Sequence, residues 1–271
     1  MSSGIVFVEG DYDYRIMVQI APTGILVVRG AGKNGQRAFM QGYEKAQAAT
    51  ASKVLIGFRD RDFDRAIPEK AGLDLVGNIF FSHRRTIENY LLRPENFASY
   101  LSGANSAKFQ GLNEAVFRDL LIESAKELKY YQAARQSLGE IRVSNDLGTT
   151  WTSGSGALPD HLGADDCLSS SLSLLTDYAQ KAGLICDTAR FQALYQDYCE
   201  RFNDAFFEAR LHEVWFQAKD VQKVLQKKLT AIWPQFSISR VYEHAISNFD
   251  PTPFPDLMEF VNWVSQKIEQ Q

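Results

Sequence analysis

Cysteine is scarce in this sequence. Its 271 residues hold three, Cys167, Cys186 and Cys199, at spacings of 19 and 13 and with no Cys-x-x-Cys pair. An odd, widely spaced set argues against a zinc ribbon or a disulfide framework and reads as reduced thiols in or near a helical core. Long apolar runs are lacking too: stretches such as Ile5-Val6-Phe7-Val8 are strand-sized, far short of the ~20 residues that a bilayer requires. Met1-Ser2-Ser3-Gly4 carries no basic region ahead of an apolar one, so no secretory signal is expected. With 18 Gly and 8 Pro the chain is neither collagen-like nor of low complexity. Its four histidines, His83, His161, His212 and His244, show no metal-ligand spacing, and no Gly-x-Ser-x-Gly elbow supports a serine nucleophile. The expectation is a cytoplasmic protein with no membrane partner.

What is present is ordinary globular material: 45% hydrophobic, 23% charged and 12% aromatic. The length suits one domain or two small ones. With 29 basic and 33 acidic residues the chain carries −4, but the charge divides unevenly. Up to residue 97 there are 13 basic and 11 acidic residues, or +2, and the remainder has 16 and 22, or −6. Overall acidity argues against indiscriminate nucleic-acid binding, yet it suits a nucleic-acid enzyme whose acids gather at a metal site.

The first ninety residues alternate strand and helix. Ile5-Val6-Phe7-Val8 is a β-branched and aromatic run, as expected of a strand buried on both faces. A helical stretch over about 13–20 follows it. Residues 25–28 form a second strand, closed by Gly30, Gly32 and Gly35, and residues 36–50 are rich in good helix formers. Residues 54–58 are a third strand and 79–81 a fourth. Strands spaced by helices predict an α/β fold with a mainly parallel sheet and right-handed crossovers. From Pro94 onward the period becomes helical, as in Leu112, Val116, Leu120, Leu121 and Leu128. A Gly/Ser/Thr/Asp-rich stretch over about 144–170 reads as a long loop. The organisation expected is a sheet domain over 1–97 and a helical domain over 98–271.

Acids cluster where the strands end. Glu9 follows the first strand, Asp60 and Asp62 follow the third, and Glu88 lies shortly after the fourth. Open parallel sheets bind ligands outside the carboxyl ends of their strands. Carboxylates gathered there repel one another unless something neutralises them, and hard divalent cations such as Mg²⁺ do so with oxygen ligands. Alternate residues of an extended segment point the same way, which suits Asp60-x-Asp62 to one ion.

Several familiar patterns fail. Gly30-Ala31-Gly32-Lys33-Asn34-Gly35 is no Walker A loop, because Val27 stands at its first glycine and Asn34 follows the lysine. Asp60-x-Asp62-x-Asp64 is no EF-hand, because Arg65 and Ala71 occupy its Gly and Glu positions. His83, beside Arg84 and Arg85, is the one histidine near the acids.

Taken in order, Val8-Glu9-Gly10, Gly32-Lys33, Asp60-Arg61-Asp62-Phe63-Asp64 and Ile87-Glu88-Asn89-Tyr90-Leu91-Leu92 resemble a TOPRIM domain. More narrowly, they resemble the OLD-like TOPRIM nucleases that pair with ABC-type ATPases in phage defence, including the nuclease component of PARIS systems. The resemblance covers roughly residues 5–92 and extends weakly to Lys219-Asp220-Val221. Arg59 stands where the family usually has an apolar residue.

The resemblance implies phosphodiester hydrolysis with Mg²⁺ or Mn²⁺. Glu9, Asp60, Asp62 and Glu88 would be the catalytic acids and, with Asp13 and Asp64, the metal ligands. Lys33 would meet the scissile phosphate. The implied partners are an ABC-type or AAA ATPase sensor and a DNA or RNA substrate, tRNA among them, with a homodimer on activation.

Setting aside Glu9, Asp11, Asp13, Asp60, Asp62, Asp64 and Glu88 moves the first 97 residues from +2 to +9, as a phosphate-facing surface around an acidic pocket requires. Lys219, Lys223 and Lys227 recur on one helix face, either as a further contact or as a solvated surface. Two other readings stand beside the nuclease. One is a haloacid-dehalogenase-like phosphatase, whose later acidic pair would be Asp165-Asp166. The other is a non-catalytic TOPRIM subunit that only binds or regulates. A primase or topoisomerase shares the acids, but the length and the missing zinc motifs disfavour it.

Overall fold

A computed structural model describes residues 3–30, 35–47, 54–63, 65–102, 107–141, 162–182 and 188–270. The chain is α/β. Five strands form one sheet in the order β2-β1-β3-β5-β4: β1 Gly4–Val8, β2 Ile25–Arg29, β3 Val54–Arg59, β4 Leu75–Val76 and β5 Ile79–Phe81. All neighbours run parallel except β4, which pairs antiparallel with β5. The two-residue β4 has no signal of its own in the sequence. Strand β1 lies between β2 and β3 and is buried along its whole length, which is why its sequence does not alternate.

Two compact units make up the chain. The sheet unit comprises Met1–Arg61, Pro68–Ile87 and Glu243–Gln271; the helical unit comprises Asp62–Ile67 and Glu88–Tyr242. These are not the 1–97 and 98–271 expected from the change of period. Residues 243–271 belong with the sheet because their apolar face completes its core.

Within the sheet unit, helix α1 Asp11–Ile20 buries Asp13, Ile16, Met17 and Ile20, one face at helical spacing. Helix α2 is Gln36–Gln47. The last helix of the chain, Pro255–Glu269, starts with proline at its first turn and buries Leu257, Phe260 and Val264. Phe260 packs on Phe80 and Phe58, with ring centroids 4.7 and 5.7 Å away, and so covers one face of the sheet.

The helical unit contains, in chain order, α3 Glu88–Leu91, α4 Pro94–Leu101, α5 Glu114–Glu127, α6 Lys129–Glu140, α7 Ala164–Ala182, α8 Thr188–Arg201, α9 Asp204–Glu208, α10 His212–Trp215 and α11 Ala218–Ile232. Helix α12, Ile238–Ser247, contains the boundary between the units, and the helix over Pro255–Glu269 is α13.

The polar stretch read as a loop over about 144–170 lies outside the described residues up to 161, but its end is helix. Asp165 and Asp166 occupy the first turn of α7, where acids favour the helix dipole. Ser171 returns its hydroxyl to the Cys167 carbonyl at 2.7 Å, which is how serines are carried inside this helix. The core of the unit is aromatic: Phe97 stacks on Phe117 at 3.9 Å, and Phe202, Phe206, Phe207 and Phe216 form a second cluster. Among the described residues no helix is long and apolar enough to cross a membrane.

Candidate active site at the strand ends

In the sheet unit, β1 is flanked by β2 on one side and β3 on the other, so the strand order reverses beside it. Ligands of open α/β sheets bind at the carboxyl ends of the strands at such a point. Glu9 and Asp60 are the first residues beyond β1 and β3 and therefore stand at neighbouring strand ends.

The seam between those strands is closed by Gln36, the first residue of α2 and fully buried. Its Nε2 donates to the carbonyls of Phe7 at 2.9 Å and Phe58 at 3.1 Å, the groups that parallel pairing leaves open where the strands part. Gly57 makes room for it, since a Cβ there would lie 3.3 Å from the Gln36 amide carbon. Nothing in the sequence distinguishes Gln36 from an ordinary helix-forming residue.

Each sequence-assigned acid of this unit has a protein partner. Arg59 Nε donates to Glu9 Oε1 at 3.1 Å, and the guanidinium lies over the Phe81 ring at 5.4 Å. Asp60 Oδ1 accepts the Ile87 N–H at 2.8 Å, tying the turn after β3 to the residue before α3. Asp13 is buried and accepts the Gly10 N–H at 2.8 Å, so it caps the start of α1. Between Asp60 and Asp62, Arg61 is only 1% exposed and donates to the Ser82 carbonyl at 2.8 Å and to Asp74 at 2.6 Å. His83 donates its backbone N–H to Asp256 at 2.9 Å. Burial lowers the His83 pKa against the pull of Asp256, with Arg61 and Arg84 adding to the lowering, so the imidazole is neutral at physiological pH.

No family model matches this chain, and no curated protein does.

The remaining assigned acids belong to the helical unit or lie outside the described residues. Asp62, 7% exposed, takes a left-handed backbone at φ 44°, which aspartate tolerates better than most side chains. Glu88 opens α3 and is buried; Lys219 Nζ lies 3.2 Å from its Oε1, and its Oε2 has no hydrogen-bond partner among the described residues. Asn89 explains why Lys219 is there. Its amide donates to the carbonyls of Glu213 at 3.0 Å and Phe216 at 2.7 Å, and its oxygen accepts the Ala218 N–H at 3.3 Å, fixing the start of α11. Lys223 and Lys227, with Gln222 and Gln226, line a surface cavity of about 440 Å³ on the same helix. Asp64 and Lys33 lie outside the described residues, as do His161 and Cys186. Asp165 and Asp166, the pair a phosphatase would need beyond a strand, open helix α7 instead.

Cys167 and Cys199 are free thiols, as the spacing suggested. Burial pushes the Cys167 thiol up to about 12. It raises that of Cys199 as well, against the hydrogen bond from Tyr195, so neither is a thiolate nucleophile.

Among the described residues no group of three or more His, Cys, Asp or Glu side chains could hold a metal ion. What the sheet unit offers is two carboxylates at adjacent strand ends, an all-oxygen pair that suits a hard cation. Mg²⁺ needs only one or two carboxylates when water and phosphate complete its octahedron.

Proposed function

We propose that this protein is a metal-dependent phosphodiesterase of the TOPRIM type, a nuclease that acts as the effector of an ATPase-controlled defence system. The observation that carries the reading is the position of Glu9 and Asp60 beyond the adjacent parallel strands β1 and β3, where the strand order reverses. Glu9 and Asp60 would hold Mg²⁺ or Mn²⁺. When bound, the ion supplies an activated water and stabilises the leaving oxygen of a phosphodiester.

The chain's own groups do the rest. Gln36 locks the two strand ends at a fixed spacing, and Arg61, through Ser82 and Asp74, anchors the backbone between Asp60 and Asp62. Asp62, Asp64, Glu88 and Lys33 remain assigned by resemblance, whereas Asp13 serves as a helix cap. The acidic helical region is assigned to the ATPase partner, with complementary charge speeding encounter and selecting that partner.

The test is cleavage of single- and double-stranded DNA and of RNA by the full chain, alone and co-purified with the product of the neighbouring gene. Mg²⁺-dependent cleavage is expected, and Glu9→Gln or Asp62→Asn should abolish it while thermal unfolding stays cooperative. Wild-type-like cleavage by Glu9→Gln in Mg²⁺ would remove this mechanism.

A further inference from the structure

The argument starts from the one residue at the strand ends that departs from the TOPRIM-like pattern, and it rests on the metal-dependent reading above. Arg59 is the last residue of β3. Its side chain and that of Glu9 are each only 18% exposed, so the ion pair between them sits at the mouth of the sheet and not in open solvent. Arginine has five N–H donors in a flat fork. Here Nε is committed to Glu9 and the face of the guanidinium to Phe81. Its two terminal nitrogens make no hydrogen bond among the described residues, and neither is a buried donor lacking a partner. A guanidinium anchored by one edge and open at the other presents two parallel donors, the geometry that grips a phosphate.

The same pair has a second consequence. Glu9 already has a cation beside it, so a divalent ion arriving at its carboxylate meets the repulsion of Arg59. An anionic phosphate received by the open fork offsets that repulsion. The two events therefore favour one another.

We propose that Arg59 is a substrate-phosphate-binding residue that also acts as the counter-ion of Glu9, so that the divalent cation binds weakly to the protein alone and more tightly once a phosphodiester is in place. Leucine at this position removes both effects, and lysine keeps the charge without the fork.

The experiment titrates Mn²⁺ into the full chain, following free Mn²⁺ by electron paramagnetic resonance, for wild type, Arg59→Leu, Arg59→Lys and Glu9→Gln. Circular dichroism melting of each variant is measured alongside. Without nucleic acid, Arg59→Leu should bind Mn²⁺ about tenfold more tightly than wild type, Arg59→Lys should stay near wild type, and Glu9→Gln should bind at least about tenfold more weakly. With an oligonucleotide substrate, Arg59→Leu should raise KM about tenfold while kcat changes much less, and Arg59→Lys should fall between. Unchanged or weaker Mn²⁺ binding by a folded Arg59→Leu overturns the inference, as does Mn²⁺ binding by Glu9→Gln equal to wild type. If Arg59→Leu does not fold, an Arg59→Lys KM equal to that of wild type overturns the phosphate role. If Mn²⁺ affinity shifts as expected but no nucleic acid is cleaved, the counter-ion role stands and the nuclease reading falls.

Discussion

Arg210 shows how much a single residue carries in this chain. It is one of two non-glycine residues with a left-handed backbone, at φ 57°, the other being Asp62. Its guanidinium grips both oxygens of Glu95, at 2.7 and 3.1 Å, and its Nε reaches Glu213 at 2.6 Å. Burial alone would raise the Glu95 pKa; the Arg210 hydrogen bonds and the charges of Arg93 and Arg210 overcome it and hold the carboxyl at about 2, against an ordinary 4.5. The sign follows directly. A carboxylate held lower in the folded protein than in the unfolded one stabilises the fold fully above about 4.5, and that contribution is lost as pH falls toward about 2. Glu95→Gln should therefore flatten part of the acid limb of stability. Urea unfolding at about pH 5 and about pH 3 should show a smaller loss in Glu95→Gln than in wild type, and equal losses would contradict the assignment. In the sequence Glu95 is an ordinary helix-start acid and Arg210 an ordinary surface base. Their pairing over 115 positions was not legible, because no local pattern encodes a partner so far along the chain.

Among the elements, helix α6 has the least readable task. Arg135 within it is fully buried and ion-pairs with Asp220 of α11, which is also fully buried. Gln132 completes the group by donating to Asp220 at 2.8 Å. A charge pair with no exposure survives only because its hydrogen bonds are met on several sides. Arg135 also lies 4.3 Å over the ring of Phe63, the residue after Asp62. One turn along, Gly139 leaves space for the same residue: a Cβ there would come within 2.3 Å of the Phe63 carbonyl oxygen. Helix α6 thus holds the Asp62–Phe63 turn from the side of the helical unit.

Gly139→Ala should destabilise the protein by about 1–3 kcal/mol through overpacking, although alanine is the better helix former. Chemical denaturation measures it, and a stabilised variant would show that Phe63 moves aside freely. The helical period of this region was visible in the sequence. That Arg135, Gly139 and Asp220 converge on the acidic motif was not, since a charged residue mid-helix normally reads as solvent-facing.

For the molecule as a whole, the compact units cut across the simple order of sheet and then helices. The sheet unit recruits the last 29 residues of the chain, Glu243–Gln271. Arg15 of α1 pairs with Glu243 at 2.5 Å, Gln19 donates to the Ile246 carbonyl at 2.6 Å, and Phe260 covers Phe58 and Phe80. A fragment ending near residue 97 therefore lacks part of its own core. A chain truncated after Tyr242 should lose the cooperative melting of the sheet and bind a hydrophobic dye, because Phe58 and Phe80 lose their cover. Retention of the full-length melting curve would show the sheet stands without α13. For the same reason, docking of the ATPase partner is best mapped with surface substitutions in the intact chain.

The α/β class and the order of the main strands and helices were determined by the sequence itself. Local physics suffices for them: β-branched runs form buried strands, and helical periodicity marks helices. The placement of Glu9 and Asp60 at strand ends follows from the same patterns, because residues just beyond a parallel strand lie at its carboxyl edge by construction. Only the tertiary structure decided what those acids touch. It gave Glu9 to Arg59, Asp60 to the Ile87 amide and Asp13 to a helix cap, and it brought Gln36 across the seam of the sheet. It also moved the C-terminal helix into the N-terminal core. Each of these depends on which distant surfaces meet when apolar faces are buried, and a side chain's partner across that meeting leaves no periodic mark in the chain that carries it.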